Sequence, residues 1–201
     1  MNQQQDERRE YFRIDDSLRL GYREIDPGTL ERRIEVLEKG QEGEFTLLSS
    51  LATVTREMSG TLHLIESAQR DIAAYLKSID RKIEILGRAF LARSSELFDQ
   101  PVQSVNLSAT GICFEVESPL QPETVLELRI LLTPSYSGIH CYAEVIACEA
   151  DAEGEREGRY SLRTRFLYLR DADRDLLIQH VIQRQGEAIR KARRRREQEQ
   201  Q

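Results

Sequence analysis

The feature that most restricts the fold of this chain is a long helical pattern in its first half. From about Phe45 to Arg93 there is no proline, and Gly60 is the one glycine before position 87. From residue 65 onward a seam recurs at alternating steps of four and three residues, with one polar slot at the second position: Ile65, Gln69, Ile72, Leu76, Ile79, Ile83, Leu86 and Phe90. This spacing is a heptad seam. A continuous helix over the stretch would be roughly 70 Å long, at ~1.5 Å per residue, and too long to bury within a small domain.

The seam predicts contact between copies of the chain. Its d positions are Ile65, Ile72, Ile79 and Leu86, and its a positions are Gln69, Leu76, Ile83 and Phe90. Isoleucine at d, with leucine or isoleucine at a, favours three or four strands over two. Because most soluble assemblies have even-numbered symmetry, we predict a homotetramer formed through this helix. The alternative is a helix that packs within its own chain against the folded domain.

Strand-like patterns lie on both sides of the helical stretch. Before it, Leu18, Leu20 and Tyr22 alternate with Arg19, Gly21 and Arg23. After Pro101, apolar or β-branched runs are separated by turn residues, at 102–107, 111–116, 125–132, 139–148 and 160–168. Such runs are typical of a small antiparallel barrel or sandwich.

The simplest arrangement is an α+β protein with a mainly β core. We predict a six-stranded antiparallel β-barrel built from residues 1–26 and 99–170. A helical, oligomerising insertion at 27–98 interrupts it, and a C-terminal helix with a basic tail follows at 171–201. The apolar face of that helix, at Leu176, Leu177, His180 and Val181, is placed to cap the barrel.

Composition excludes several classes of protein. The 201 residues carry a net charge of -6, which disfavours a general nucleic-acid binder. No apolar run approaches the ~20 residues of a membrane span, and the N-terminal residues lack the apolar core of a signal peptide. Three cysteines, Cys113, Cys141 and Cys148, show no metal-like spacing and predict free thiols in a reducing cytoplasm. No grouping of residues indicates catalysis or a metal site, so we expect no enzyme activity.

Two short motifs carry the candidate chemistry. Arg8, Arg9 and Arg13 precede the first strand, and forked, permanently charged guanidinium groups bind phosphate and stack on purine rings. Asn106, Ser108 and Gly111 lie between the next two strands. There the amide and hydroxyl offer hydrogen bonds, and the glycine permits a tight turn and close backbone approach.

The combination of RRxxxR before the first strand and NxSxxG between the next two resembles the PilZ family of bacterial cyclic di-GMP receptors. The resemblance covers roughly residues 7–25 and 99–185. It implies cyclic di-GMP as ligand and no cofactor. Arg9 and Arg13 would clamp phosphate and stack on guanine, and Arg8 would add a contact. Asn106 and Ser108 would bond the guanine edge, while Gly111 keeps the turn open. Binding would then reshape a surface that a downstream protein, which the sequence does not identify, recognises.

Three alternatives stay open from the sequence. The barrel could be a structural scaffold that no longer binds nucleotide. The basic run Arg190–Arg196 could bind nucleic acid, although the acidic total disfavours this, or it could contact the ligand or an acidic partner. The same run is also what a helix C-terminus favours, because cations there complement the helix dipole.

Overall fold

Six antiparallel strands form the centre of the molecule. The computed structural model describes residues 12–39, 43–94, 97, 100–133, 135, 137–150 and 158–199. Its strands are β1 (Arg13–Glu24), β2 (Val102–Ser108), β3 (Gly111–Val116), β4 (Val125–Leu132), β5 (Ser137–Ala150) and β6 (Tyr160–Leu169). They close into a barrel in the order β1-β2-β3-β6-β5-β4. The predicted barrel and its strand positions are confirmed.

Strand β1 closes the barrel because it pairs with two different strands. Its first part, Arg13–Arg19, pairs with β2, and its second part, Arg19–Glu24, pairs with β4. Inward residues such as Leu18 and Leu20 join a core that also contains Leu128 of β4. Closure pairs the edge strands with each other, so none of the six strands that the structure describes remains an open edge for pairing with another chain.

Along the chain, three described α-helices lie between β1 and β2, and a fourth follows β6. They are α1 (Leu30–Glu38), α2 (Gly43–Ala68), α3 (Arg70–Ser94) and α4 (Asp171–Glu199). In α4, Leu177 and Val181 pack into the barrel core, which confirms the predicted capping face. None of the described helices carries an apolar stretch of the length that crosses a bilayer.

The helical insertion is a hairpin, so the prediction of one continuous 70 Å helix is wrong. The helix breaks at Gln69, between α2 and α3. Leu51 and Gly87 line the same cavity, although one straight helix would hold them roughly 50 Å apart. Lys77 also forms an ion pair with Glu66 across the hairpin. Folding back places α2 and α3 side by side within the chain, which a single extended helix could not do.

The break divides the predicted seam. Ile65 lies at the end of α2, Gln69 lies at the break instead of inside a coiled coil, and the other seam residues lie on α3. Leu76 and Ile79 are partly buried, but Ile72 and Leu86 remain 49% and 69% exposed, and Ile83 and Phe90 are also exposed. The hairpin therefore leaves an apolar stripe of α3 on the surface of the single chain.

A buried carboxylate attaches α1 to the barrel. The Glu127 side chain is 1% exposed, and it receives Arg23 from β1, Arg129 from β4 and Arg33 from α1, with His140 beside it on β5. Burial by itself raises the pKa of Glu127, but hydrogen bonds from His140 and Arg23 outweigh it and lower the value to about 2. This group stays ionised at neutral pH and fixes the start of the insertion.

Candidate ligand-binding site

The outer wall of the barrel brings parts of the two motifs together. Along the start of β1 the side chains alternate, with Arg13 and Asp15 exposed and Ile14 and Asp16 buried. Pairing with β2 places Arg13 opposite Ser108 and Asp15 opposite Asn106. Side chains on opposed residues of neighbouring antiparallel strands lie close enough to interact. Arg13 and the Asn106–Gly111 turn therefore share one corner of the barrel.

Asn106 is held by a partner that the sequence did not single out. Its Nδ2 donates a hydrogen bond to Asp15 Oδ1 over 2.7 Å. Asp15 is exposed and Asn106 is partly buried. The amide that the resemblance assigns to the ligand is thus oriented by a carboxylate on the adjacent strand.

Ser108 lies inside the turn between β2 and β3. It is 2% exposed, and its hydroxyl donates to the Gly111 carbonyl over 3.2 Å. The same oxygen accepts a hydrogen bond from the Thr110 backbone N–H over 3.3 Å. These bonds give Ser108 a role in holding the turn, and its contact with the ligand stays a prediction.

Gly111 brings the turn against β6. A Cβ atom at this position would meet the Thr164 carbonyl oxygen at 2.2 Å, so no larger residue fits without moving backbone. Two bonds tie the strands here, from the Phe166 N–H to the Thr110 carbonyl and from the Thr164 hydroxyl to the Ile112 carbonyl, each over 2.9 Å. The backbone that approaches Gly111 belongs to β6, and the role of Gly111 toward a ligand stays a prediction.

Directly beneath this corner, β1 is joined to α4. The Asp16 carboxylate is fully buried and lies 2.6 Å from His180 Nε2. It also accepts a hydrogen bond from Arg184 Nε over 3.0 Å. Burial by itself raises the pKa of Asp16. The bonds to His180 and Arg184 have the larger, opposite effect, so the pKa of Asp16 falls to about 2. On β1, Asp15 therefore faces the candidate site, and the next residue, Asp16, faces the C-terminal helix.

A family model for the PilZ domain matches residues 79–183. That match spans more than half of the chain. The chain belongs to the PilZ domain family. The matched part of this PilZ protein runs from within α3 through β2–β6 into α4, so β1 and its Arg13 lie before it. No curated protein gives a significant match.

Three solved structures are similar to this chain. One is a tetrameric PilZ domain from Xanthomonas campestris that assembles through a helical bundle, at 19% identity and a TM-score of 0.54, over 90% of this chain and 91% of that one. Another is the Bacillus subtilis motility inhibitor MotI, at 15% identity and a TM-score of 0.46, where the aligned region covers 90% of this chain and 52% of that one. The third is the Escherichia coli YcgR PilZ domain with cyclic di-GMP, at 20% identity and a TM-score of 0.35, over 47% and 80% of the two chains.

Two of the predicted ligand residues, Arg8 and Arg9, lie outside the described residues. Three residues of the PilZ barrel that had no predicted site role lie on the same outward row as Asn106. Asp15 is its neighbour on β1, and Cys113 and then Arg163 follow on β3 and β6. Arg163 is exposed, so it adds a cation to this face. The strand order that creates this row is not visible in the spacing of the motifs.

Proposed function

We propose that this PilZ protein is a cyclic di-GMP receptor that changes conformation on binding and signals to a downstream protein. One observation carries the proposal: the folded barrel places Arg13 opposite Ser108 and Asn106 opposite Asp15 on adjacent strands. Residues of two motifs, distant in sequence, therefore meet at one exposed corner. Closure of the barrel requires β1 to pair with β2, but it does not require these side chains at the opposed positions, whereas a binding site does.

The chemistry of the corner suits this ligand. Cyclic di-GMP presents two phosphodiesters and two guanines. Arg9 and Arg13 would hold phosphate through charge-assisted, bidentate hydrogen bonds and stack on a guanine ring. Arg8 would add a contact, and Asn106 would bond a guanine edge. These roles involve binding alone, and PilZ domains are known as binding modules and not as enzymes.

Removal of Arg9 or Arg13 is expected to weaken binding strongly. Each substitution, Arg9→Ala or Arg13→Ala, deletes a hydrogen bond between charged groups, which is worth ~1.5–3 kcal/mol, or roughly a ten- to 100-fold loss of affinity. Calorimetric titration with cyclic di-GMP measures this loss. The control is Arg32→Ala, an exposed arginine on α1 away from the corner. Equal affinity in all four proteins would refute the site.

A PilZ-like scaffold that does not bind nucleotide is the alternative function. The same titration of the wild-type protein separates the two, because a scaffold releases no heat with cyclic di-GMP at any concentration. The complete set of motif residues, Arg8, Arg9, Arg13, Asn106, Ser108 and Gly111, favours the receptor.

We also propose that the receptor is a homotetramer assembled through α3. The support is the exposed stripe that includes Ile72 and Leu86, together with an a and d pattern that favours three or four helices. The PilZ structure from Xanthomonas campestris, at 19% identity, is itself a tetramer that assembles through a helical bundle. Gln69 lies at the hairpin break, so we assign the contact to the part of the seam on α3.

A charge placed on this stripe is expected to dissociate the assembly. Leu86→Asp buries a carboxylate in an apolar interface, which is unfavourable unless the charge is paired. Because Leu86 is 69% exposed in the single chain, the protomer fold should survive. Light scattering coupled to size exclusion would show the mass fall from four chains to one or two. Leu64→Asp is the matched control, since Leu64 is 71% exposed but lies on α2 outside the seam. A monomeric wild-type protein would contradict the proposal.

We place the receptor in the cytoplasm. Cys113, Cys141 and Cys148 are all free thiols, which suits a reducing compartment. Burial, with the nearby Asp173 carboxylate, raises the pKa of the Cys141 thiol, so this cysteine serves packing and not redox chemistry.

A further inference from the structure

The bond between Asp15 and Asn106 fixes which end of the amide faces a ligand. An asparagine side chain has one end that donates and one that accepts, and either can point outward if the group rotates freely. An exposed, ionised carboxylate only accepts. Since Asp15 Oδ1 lies 2.7 Å from the amide, the atom directed at it is the Nδ2 donor. In the described part of the chain, Asn106 Oδ1 accepts no hydrogen bond, so it is available to a ligand.

We propose that Asp15 is a positioning residue that makes Asn106 selective for guanine. The inference rests on the proposed function and adds a residue and a specificity to that site. The Watson–Crick edge of guanine carries two adjacent donors, the N1–H and the N2 amino group, which an outward acceptor recognises. The edge of adenine instead pairs a donor with an acceptor at N1. An outward oxygen therefore matches only one of the two groups on the adenine edge, because the acceptor at adenine N1 needs a donor in that place.

Electrostatics alone would argue against an aspartate at this place. The proposed ligand is a dianion, and Asp15 is an exposed carboxylate beside Arg13 on the same strand face. A like charge near the ligand weakens binding. If Asp15 contributed only its charge, its removal would tighten binding. The positioning role instead predicts weaker binding for a substitution that removes both the charge of Asp15 and the oxygen that accepts from Asn106.

Two substitutions separate the acceptor from the charge. Asp15→Ala and Asp15→Asn remove the same charge, but the asparagine retains an oxygen that can accept from Asn106. Both variants should fold, because Asp15 is exposed on the barrel wall. Each is titrated calorimetrically with cyclic di-GMP and with cyclic di-AMP, and thermal melts verify folding.

Asp15→Ala is expected to weaken cyclic di-GMP binding roughly two- to tenfold, the range for loss of one ordinary hydrogen bond. It should also reduce the preference for cyclic di-GMP over cyclic di-AMP, because the freed amide can then rotate. Asp15→Asn is expected to bind cyclic di-GMP more tightly than Asp15→Ala and to keep the preference.

Equal tightening in both variants would overturn the inference and leave Asp15 with a purely electrostatic effect. Unchanged affinities and an unchanged preference in both would overturn it as well. A wild-type protein that binds no cyclic di-GMP would instead remove the proposed function, and the inference with it. The wild-type titration therefore identifies which of the two has failed.

Discussion

Replacement of Gly111 by alanine is expected to destabilise the barrel by about 3 kcal/mol, at the upper end of what overpacking costs. The added Cβ would meet the Thr164 carbonyl oxygen at 2.2 Å, a separation that real Cβ atoms do not adopt. The obstacle is backbone, which no side-chain rotation relieves. Relief requires β3 and β6 to separate, and this strains the bonds that the Thr110 and Ile112 carbonyls accept from β6.

Gly60→Ala is the matched control for this effect. Gly60 lies in α2, and nothing lies within 4 Å of an added Cβ. Alanine in a helix interior is favoured over glycine by about 0.5–1 kcal/mol, so this variant should be more stable than the wild type. Urea unfolding of all three proteins at one concentration compares the midpoints, since assembly adds a concentration-dependent contribution. A Gly111→Ala protein as stable as the wild type would show that the turn and β6 are not in the predicted contact.

The barrel could be predicted from the sequence because each strand has its own local signal. A period-two pattern predicts β1, and apolar or β-branched runs separated by turn residues predict the other five strands, with the bounds of Gly111–Val116 matched to the residue. The hairpin could not be predicted in this way. An apolar stripe at helical spacing looks the same whether it faces another copy or the chain's own preceding helix. The polar residues around Gln69 are compatible both with a polar a position in a continuous coiled coil and with a turn between two helices.

Site residues can be predicted from the sequence when they belong to a single motif. They cannot be predicted when their role depends on which strands are paired. Arg13 and Asn106 were predicted from their motifs, and the structure places them at one corner. Asp15 was not, because its importance comes from lying opposite Asn106 across two strands. Asp16 did leave a signal, since it is a charged residue at an inward position of β1. Its partners, His180 and Arg184, lie in the last helix, and nothing in the local sequence connects them.

Asp16→Ala is expected to destabilise the protein by roughly 3–5 kcal/mol, the range for removal of one partner from a buried ion pair. The Asp16 side chain is fully buried, and the His180 side chain is 5% exposed. Deletion of the carboxylate leaves His180 and the partly buried Arg184 without their shared acceptor and loosens α4 from β1. Asp175→Ala is the control, because Asp175 pairs with Arg56 at the surface and is 59% exposed. Exposed pairs contribute about 0–1 kcal/mol.

The Asp16 carboxylate also makes the free energy of unfolding depend on pH, in a direction that its pKa determines. The pKa of Asp16 is about 2 in the folded protein against 3.8 for a free side chain. A folded-state pKa below the unfolded value adds stability above about pH 4, and this contribution disappears as pH falls toward 2. It amounts to about 2 kcal/mol, on the order of 1.4 kcal/mol per pH unit. The pKa of Glu127 is also lowered to about 2, so its contribution to stability disappears over the same pH range in both proteins. The Asp16 contribution is therefore obtained as the difference between the unfolding free energies of the wild type and of Asp16→Asn, measured from pH 6 to pH 2.

This difference should be largest at pH 6 and shrink by about 2 kcal/mol as the solution is acidified. The part that persists at low pH reports packing and neutral hydrogen bonds, and the part that disappears reports the charge. A difference independent of pH would mean that the link between β1 and α4 does not depend on an ionised Asp16. The buried ion pair would then make no contribution to the docking of the helix, and packing by Leu177 and Val181 would be sufficient.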